Sequence, residues 1–291
     1  MNILAILGAN LSAMGFGAAN IVAKKALGNL SVIQTLVIGT AAGSTLLFII
    51  SLLSGDFSIA RHILPFAVGM ALLEVLFYLI LYKAFSVANL TVAVSVMSTY
   101  PAFSLIIATL FLNETVTPLK VFLAILVILG AILTSIDWGG VIKDGLNKKD
   151  IVKGFPWILL CLILHVVYFP LLSVYTGEEL WETKLFLIKI ISFVIFAGIF
   201  VVMYKRKKVK LPRRDKILAP SMAGIFEVVG WVGLSFAYVY AANQVGTVIA
   251  LGSASPLFTA IGAYIFLKER LKPLQYLGVA VILISIIGLS L

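Results

Sequence analysis

Charge and cysteine are both scarce in this chain of 291 residues: Asp, Glu, Lys and Arg make up 12% of it, and Cys161 is its one thiol. Soluble domains carry about a quarter charged residues, so a soluble globular fold is excluded. With one cysteine no intrachain disulfide can form, and the residue says nothing of redox compartment. Cys161 lies in an apolar run and reads as a small core residue. Enzyme signatures are missing too: there is no HExxH, no phosphate-binding loop, no pair of catalytic aspartates and no Cys/His cluster. No catalytic residue, metal or cofactor is therefore expected, and the lack of a nucleotide-binding motif argues against an ATP-driven pump. No Lys or Arg precedes Lys24, and the first apolar run is too long for a secretory signal. The short alternating strands of a transmembrane β-barrel are absent as well.

What the chain has is oil. Hydrophobic residues are 62% of it and the mean hydropathy is +1.15. Apolar runs of roughly 20 residues, enough to cross a hydrocarbon core, recur at 3–23, 32–53, 63–82, 91–111, 119–136, 154–175, 185–204, 217–237, 246–266 and 274–291. The expected fold is an all-α membrane protein of ten transmembrane helices. The net charge of +10 does not point to nucleic acid, because the basic residues fall in short loops between spans; the bilayer is the expected partner. Odd-numbered loops hold 18 Lys and Arg and even-numbered loops three. The positive-inside rule then puts the odd loops in the cytoplasm and both termini outside. A plasma membrane, the inner membrane of a prokaryote, is the expected location. The basic run "KRKK" (205–208) reads as a topology anchor.

The chain also repeats. "PAFSLIIATLFLNETVTPLK" (101–120) and "PLFTAIGAYIFLKERLKPLQ" (256–275) share nine of 20 positions at an offset of 155. Two five-helix units follow, residues 1–136 and 154–291, joined by a loop at 137–153. An odd number of helices per unit forces the second to enter the membrane from the opposite side. Inverted repeats of this kind are the mark of alternating-access carriers, with a substrate site near the midplane between halves.

Polar groups inside the spans carry the chemistry. Glu74 in "ALLEVLFYLILY" and Glu227 in "GIFEVVGWVGLS" sit mid-span, 153 residues apart. An ionised side chain at that depth costs about 2.5–3.5 kcal/mol on insertion scales. Such a group faces a wet cavity, pairs with a cation or stays protonated, which suits proton exchange; the bland alternative is a protonated acid that locks helix packing. Tyr78 and Trp231 follow four residues later, on the same helical face, either as cavity walls or as ordinary packing. Pro101 and Pro256 interrupt the fourth and ninth spans beside hydroxyls, among them Ser98 and Ser253. Proline frees a backbone carbonyl one turn back, and matched interruptions in two halves point to a transporter's site. Those hydroxyls bind substrate or patch the kink. Asn20, His165 and Tyr168 are further intramembrane polar groups, His165 being the one that ordinarily titrates near neutrality. A lone helical histidine is more often a packing residue. Lys189, placed about five residues into its span, is expected to snorkel, and spacing gives no support to a Lys189–Glu227 pair.

"YPAFSLIIATLFLNETVTPLK" and "SPLFTAIGAYIFLKERLKPLQYLGVAVILISIIGLSL" resemble the EamA-like branch of the drug/metabolite transporter superfamily, over essentially the whole chain. In that pattern Glu114 and Glu269 sit at helix ends, as capping or gating elements. The resemblance implies ten helices in two repeats and secondary transport, often export, of small metabolites such as amino acids. It also implies substrate contacts from helices one, three and four and their mates six, eight and nine. Many relatives have cytoplasmic termini, in conflict with the charge count. The competing readings are export of lipophilic cations on the same carboxylates, which favours more cavity aromatics and fewer hydroxyl-rich kinks, and a scaffold or sensor. A scaffold has no reason to place acids at membrane depth in both halves.

Overall fold

The computed structural model describes residues 2–54, 63–103, 117–136, 138, 151–176, 180–240 and 245–289. Its helices are α1 (Ile3–Leu27), α2 (Val32–Leu53), α3 (Leu64–Val87), α4 (Leu90–Met97), α5 (Pro118–Ser135), α6 (Phe155–Thr176), α7 (Trp181–Lys205), α8 (Leu218–Tyr240), α9 (Val245–Gly252), α10 (Ser255–Gly262) and α11 (Pro273–Leu289). Helix starts are written in the sequence. Asn2 accepts from the Leu4 amide, Ser31 and Gln34 form a capping box, and Thr117 accepts from the Lys120 amide ahead of Pro118.

Seven helices are long and apolar enough to cross a membrane, and three shorter apolar segments cover Leu90–Phe103, Ser255–Leu267 and Pro273–Gly288. No β-strand longer than an isolated bridge occurs among the described residues. Several helices outrun the apolar runs that announce them. The third continues from the expected 82 to Val87, and α7 begins at Trp181 rather than 185. Once a turn is hydrogen-bonded, adding another residue is easy, so polar flanks are carried into the helix.

The fourth and ninth runs are broken rather than kinked. Thr99 N–H donates to Val96 O and Ala102 N–H to Thr99 O; Ala254 N–H donates to Leu251 O and Leu257 N–H to Ala254 O. Each break thus has the same two short-range bonds, one ahead of its proline and one across it. Downstream, α10 runs into a π-helical turn, Ala263–Leu267, which ends at Lys268 with φ 55°.

Between the halves, α1 lies along α8 and touches α9 and α10, while α6 lies along α3 and touches α4. In addition α2 packs on α7 and α8, α3 on α7, α4 on α10 and α5 on α11. The α1–α8 crossing needs glycine: a methyl added at Gly15 would sit 2.5 Å from the Gly230 nitrogen. Backbones approach this closely where small residues line helix contacts in lipid. Leucines such as Leu7, Leu72 and Leu129 stay exposed on the outer surface, as lipid-facing positions should.

Candidate functional site

The two mid-span acids converge on one cation. Glu74 on α3 is 1% exposed, Glu227 on α8 5%, and Lys189 on α7 3%. The Lys189 ammonium donates to Glu74 Oε1 at 2.5 Å and to Glu227 Oε1. Ser192, three residues further along α7, donates to Glu74 Oε2 at 2.5 Å. Trp231 Nε1 is shared between Glu227 Oε1 at 3.1 Å and the Tyr78 hydroxyl at 3.2 Å. The ammonium also lies 4.8 Å from the centre of the Tyr78 ring and 6.0 Å from that of Trp231, within cation–π range.

This overturns the snorkelling expected of Lys189. A helix starting at Trp181 puts Lys189 more than two turns in, too deep for its stem to reach water, so it neutralises acids instead. The Lys189–Glu227 pair that spacing did not support is formed. Lys189 and Ser192 are the residues that sequence reasoning missed. The available signal was a lysine inside a run facing two unpaired acids elsewhere.

Beside the cluster lies a cavity. Its walls come from α1 (Ser12, Phe16, Asn20), α3 (Tyr78, Tyr82, Phe85) and α6 (His165, Phe169). Glu227 and Trp231 of α8 complete them with the two breaks, where Ser98, Tyr100, Ser253 and Ser255 face inward. The site is split by depth: Glu227 lines the cavity, whereas Glu74 and Tyr168 are behind the wall. Tyr168 stacks on Phe77 at 5.7 Å and meets Trp231 edge-on at 5.6 Å. His165 Nδ1 donates to Cys161 O at 2.8 Å, and its ring is stacked with Tyr100 and Phe169, each at 5.3 Å. That hydrogen bond fixes the tautomer and holds the ring as a wall.

Asn20 Nδ2 donates to Thr259 Oγ1 at 3.4 Å. Thr99 Oγ1 donates to Val96 O and so patches the first break from within. Ser12, absent from the sequence reading, has a fully buried hydroxyl without a hydrogen-bond partner. Pro101 and Pro256 stand just after their breaks.

Glu114 lies outside the described residues. Glu269 accepts from the amides of Leu90 at 3.0 Å and Thr91 at 3.4 Å, at the N-terminus of α4. Lys24 donates to Phe85 O at 2.5 Å and Ala88 O at 2.7 Å, at the C-terminus of α3. The α3–α4 connection is thus gripped by a charge from each side. Among the described residues no group of three His, Cys, Asp or Glu could hold a metal ion.

Comparison with known proteins agrees with this architecture. The model of the EamA-like transporter family matches residues 3–136 and again residues 152–291. A protein of Archaeoglobus fulgidus described as an uncharacterized transporter is 26% identical over 208 residues, 69% of this chain; the match spans 66% of that relative, just under two thirds of its length. A protein of known crystal structure shares 14% identity and a TM-score of 0.67 over 97% of this chain and 95% of its own, a likeness of fold.

Proposed function

The chain belongs to the EamA-like transporter family and is a multi-pass membrane protein, and from that premise we propose that it is a secondary carrier, an exporter, of a small amphipathic metabolite of about amino-acid size. It crosses the membrane ten times, in two inverted five-helix repeats (1–136 and 154–291), with its odd-numbered loops in the cytoplasm. The observation that carries the reading is the cavity between the halves, bordered by a broken segment from each half and by Glu227. Support for the inversion comes from paired contacts: α1–α8 is answered by α6–α3, and α2–α8 by α7–α3, while α2–α7 and α5–α11 answer themselves.

Transport in this reading alternates access to the cavity, with the breaks at Ser98 and Ser253 as the flexing points. Two acids and one ammonium leave room for a single further proton, so the carrier exchanges one proton for substrate at Glu227. The groups facing that acid are Lys189 from α7, Glu74, Tyr78 and Tyr82 from α3, and Tyr168 from α6. Counterflow in liposomes, with Glu74→Gln and Glu227→Gln across pH, tests it. Loss of exchange in Glu227→Gln is expected, and two variants that transport normally at every pH would sink the proton link.

One observation favours the second reading, export of lipophilic cations. Aromatic rings outnumber hydroxylated kink residues along the cavity wall, against the pattern expected of a polar-metabolite carrier. Tetraphenylphosphonium that competes for counterflow would select that reading.

A further inference from the structure

The three charges of the cluster do not cancel. With both carboxylates ionised, Glu74, Glu227 and Lys189 together carry one negative charge, held at membrane depth where an uncompensated ion is costly. The imbalance has a direction. Glu74 faces away from the cavity and has Ser192 as well as Lys189, whereas Glu227 faces into it. The shared ammonium therefore has one partner in the wall and one at the cavity.

The surroundings of Glu227 fit a positive group with an apolar body. The rings of Tyr78 and Trp231 that flank the Lys189 ammonium also line the cavity. No Lys or Arg is among the described lining residues, so a substrate carboxylate finds no counter-charge among them. The Ser12 hydroxyl, fully buried on the same wall, has no hydrogen-bond partner and supplies an unused donor and acceptor.

We propose that Lys189 is a tethered stand-in for a substrate ammonium. In the empty carrier it holds Glu227; when an amphipathic primary amine without a carboxylate enters, the amine takes Glu227 and Lys189 retires onto Glu74 and its Ser192 support. The bound state then contains two separate neutral pairs in place of one cluster with a net charge. Lys189 is thus a specificity-determining residue: it sets the strength an incoming cation must exceed. This rests on the reading of the cavity as the substrate site.

The test is equilibrium binding to the purified full chain in detergent, with phenethylamine, phenylalanine and 2-phenylethanol as probes. Wild type should bind the amine at least tenfold more tightly than the alcohol or the amino acid. Glu227→Gln leaves the neutral Glu74–Lys189 pair intact, so it should fold and lose the tenfold preference. The double variant Glu74→Gln/Lys189→Met keeps Glu227 and removes its stand-in, so amine affinity should rise at least threefold. A purely structural lysine predicts no such gain. Equal binding of amine and alcohol by wild type, a preference that survives Glu227→Gln, or no gain in the double variant each overturns the proposal. Counterflow of some other solute without amine binding would leave the carrier reading standing while this inference fails; amine binding without counterflow would do the reverse.

Discussion

Two charged sites among the described residues, one at the α3–α4 connection and one in the cluster, handle their charge in opposite ways. At the α3–α4 connection Glu269 and Lys24 both face backbone: the carboxylate meets amides at the start of α4, and the ammonium meets carbonyls at the end of α3. Each charge opposes the partial charge of a helix end, one of each sign, and the account balances. In the cluster, side-chain charges face one another, two negative against one positive. The first arrangement ties helices together and leaves nothing over. The second leaves one charge over, beside a cavity. A membrane protein has little reason to keep such an imbalance unless something mobile completes it.

The contrast can be broken at its centre. Lys189→Met strands two carboxylates without a cation, and removing one partner of a buried pair costs about 3–5 kcal/mol. Thermal unfolding in detergent should show the largest loss of any substitution considered, with recovery of most of it in Glu74→Gln/Lys189→Met. The balanced site should respond less. Glu269→Ala removes a charged acceptor from two amides, worth roughly 2 kcal/mol, and its transition should fall by about half as much as that of Lys189→Met. Lys24→Met, at a helix C-terminus close to the surface, should cost about 1 kcal/mol. If Glu269→Ala proves more damaging than Lys189→Met, the two sites have been ranked wrongly.

Much of this could be read in the chain. Glu74 and Glu227 stand out because a carboxylate in an oily run is expensive, and their recurrence at matching places tied them to one another. Pro101 and Pro256 announce the breaks through lost amides, a local effect. What stayed hidden depended on three-dimensional reach. Lys189 reads as a residue near a membrane edge because the apolar run starts at 185, while hydrogen bonding carries the helix back to Trp181. Glu269 reads as a helix-end residue, yet the helix whose amides it accepts is α4, 178 residues away in the chain. The split between Glu227 at the cavity and Glu74 behind the wall is a matter of helix rotation, which an all-round apolar helix does not reveal in its pattern.

The central claim is that the cavity between the halves is a passage reached from both sides in turn. Ser98→Cys in a Cys161→Ala background, reconstituted in liposomes, places one reactive thiol on the cavity wall. A membrane-impermeant maleimide added to either side separately should label it from both, with the rate reduced by phenethylamine at saturating concentration. Labelling from neither side in protein that unfolds cooperatively, or a rate no ligand alters, would contradict the account.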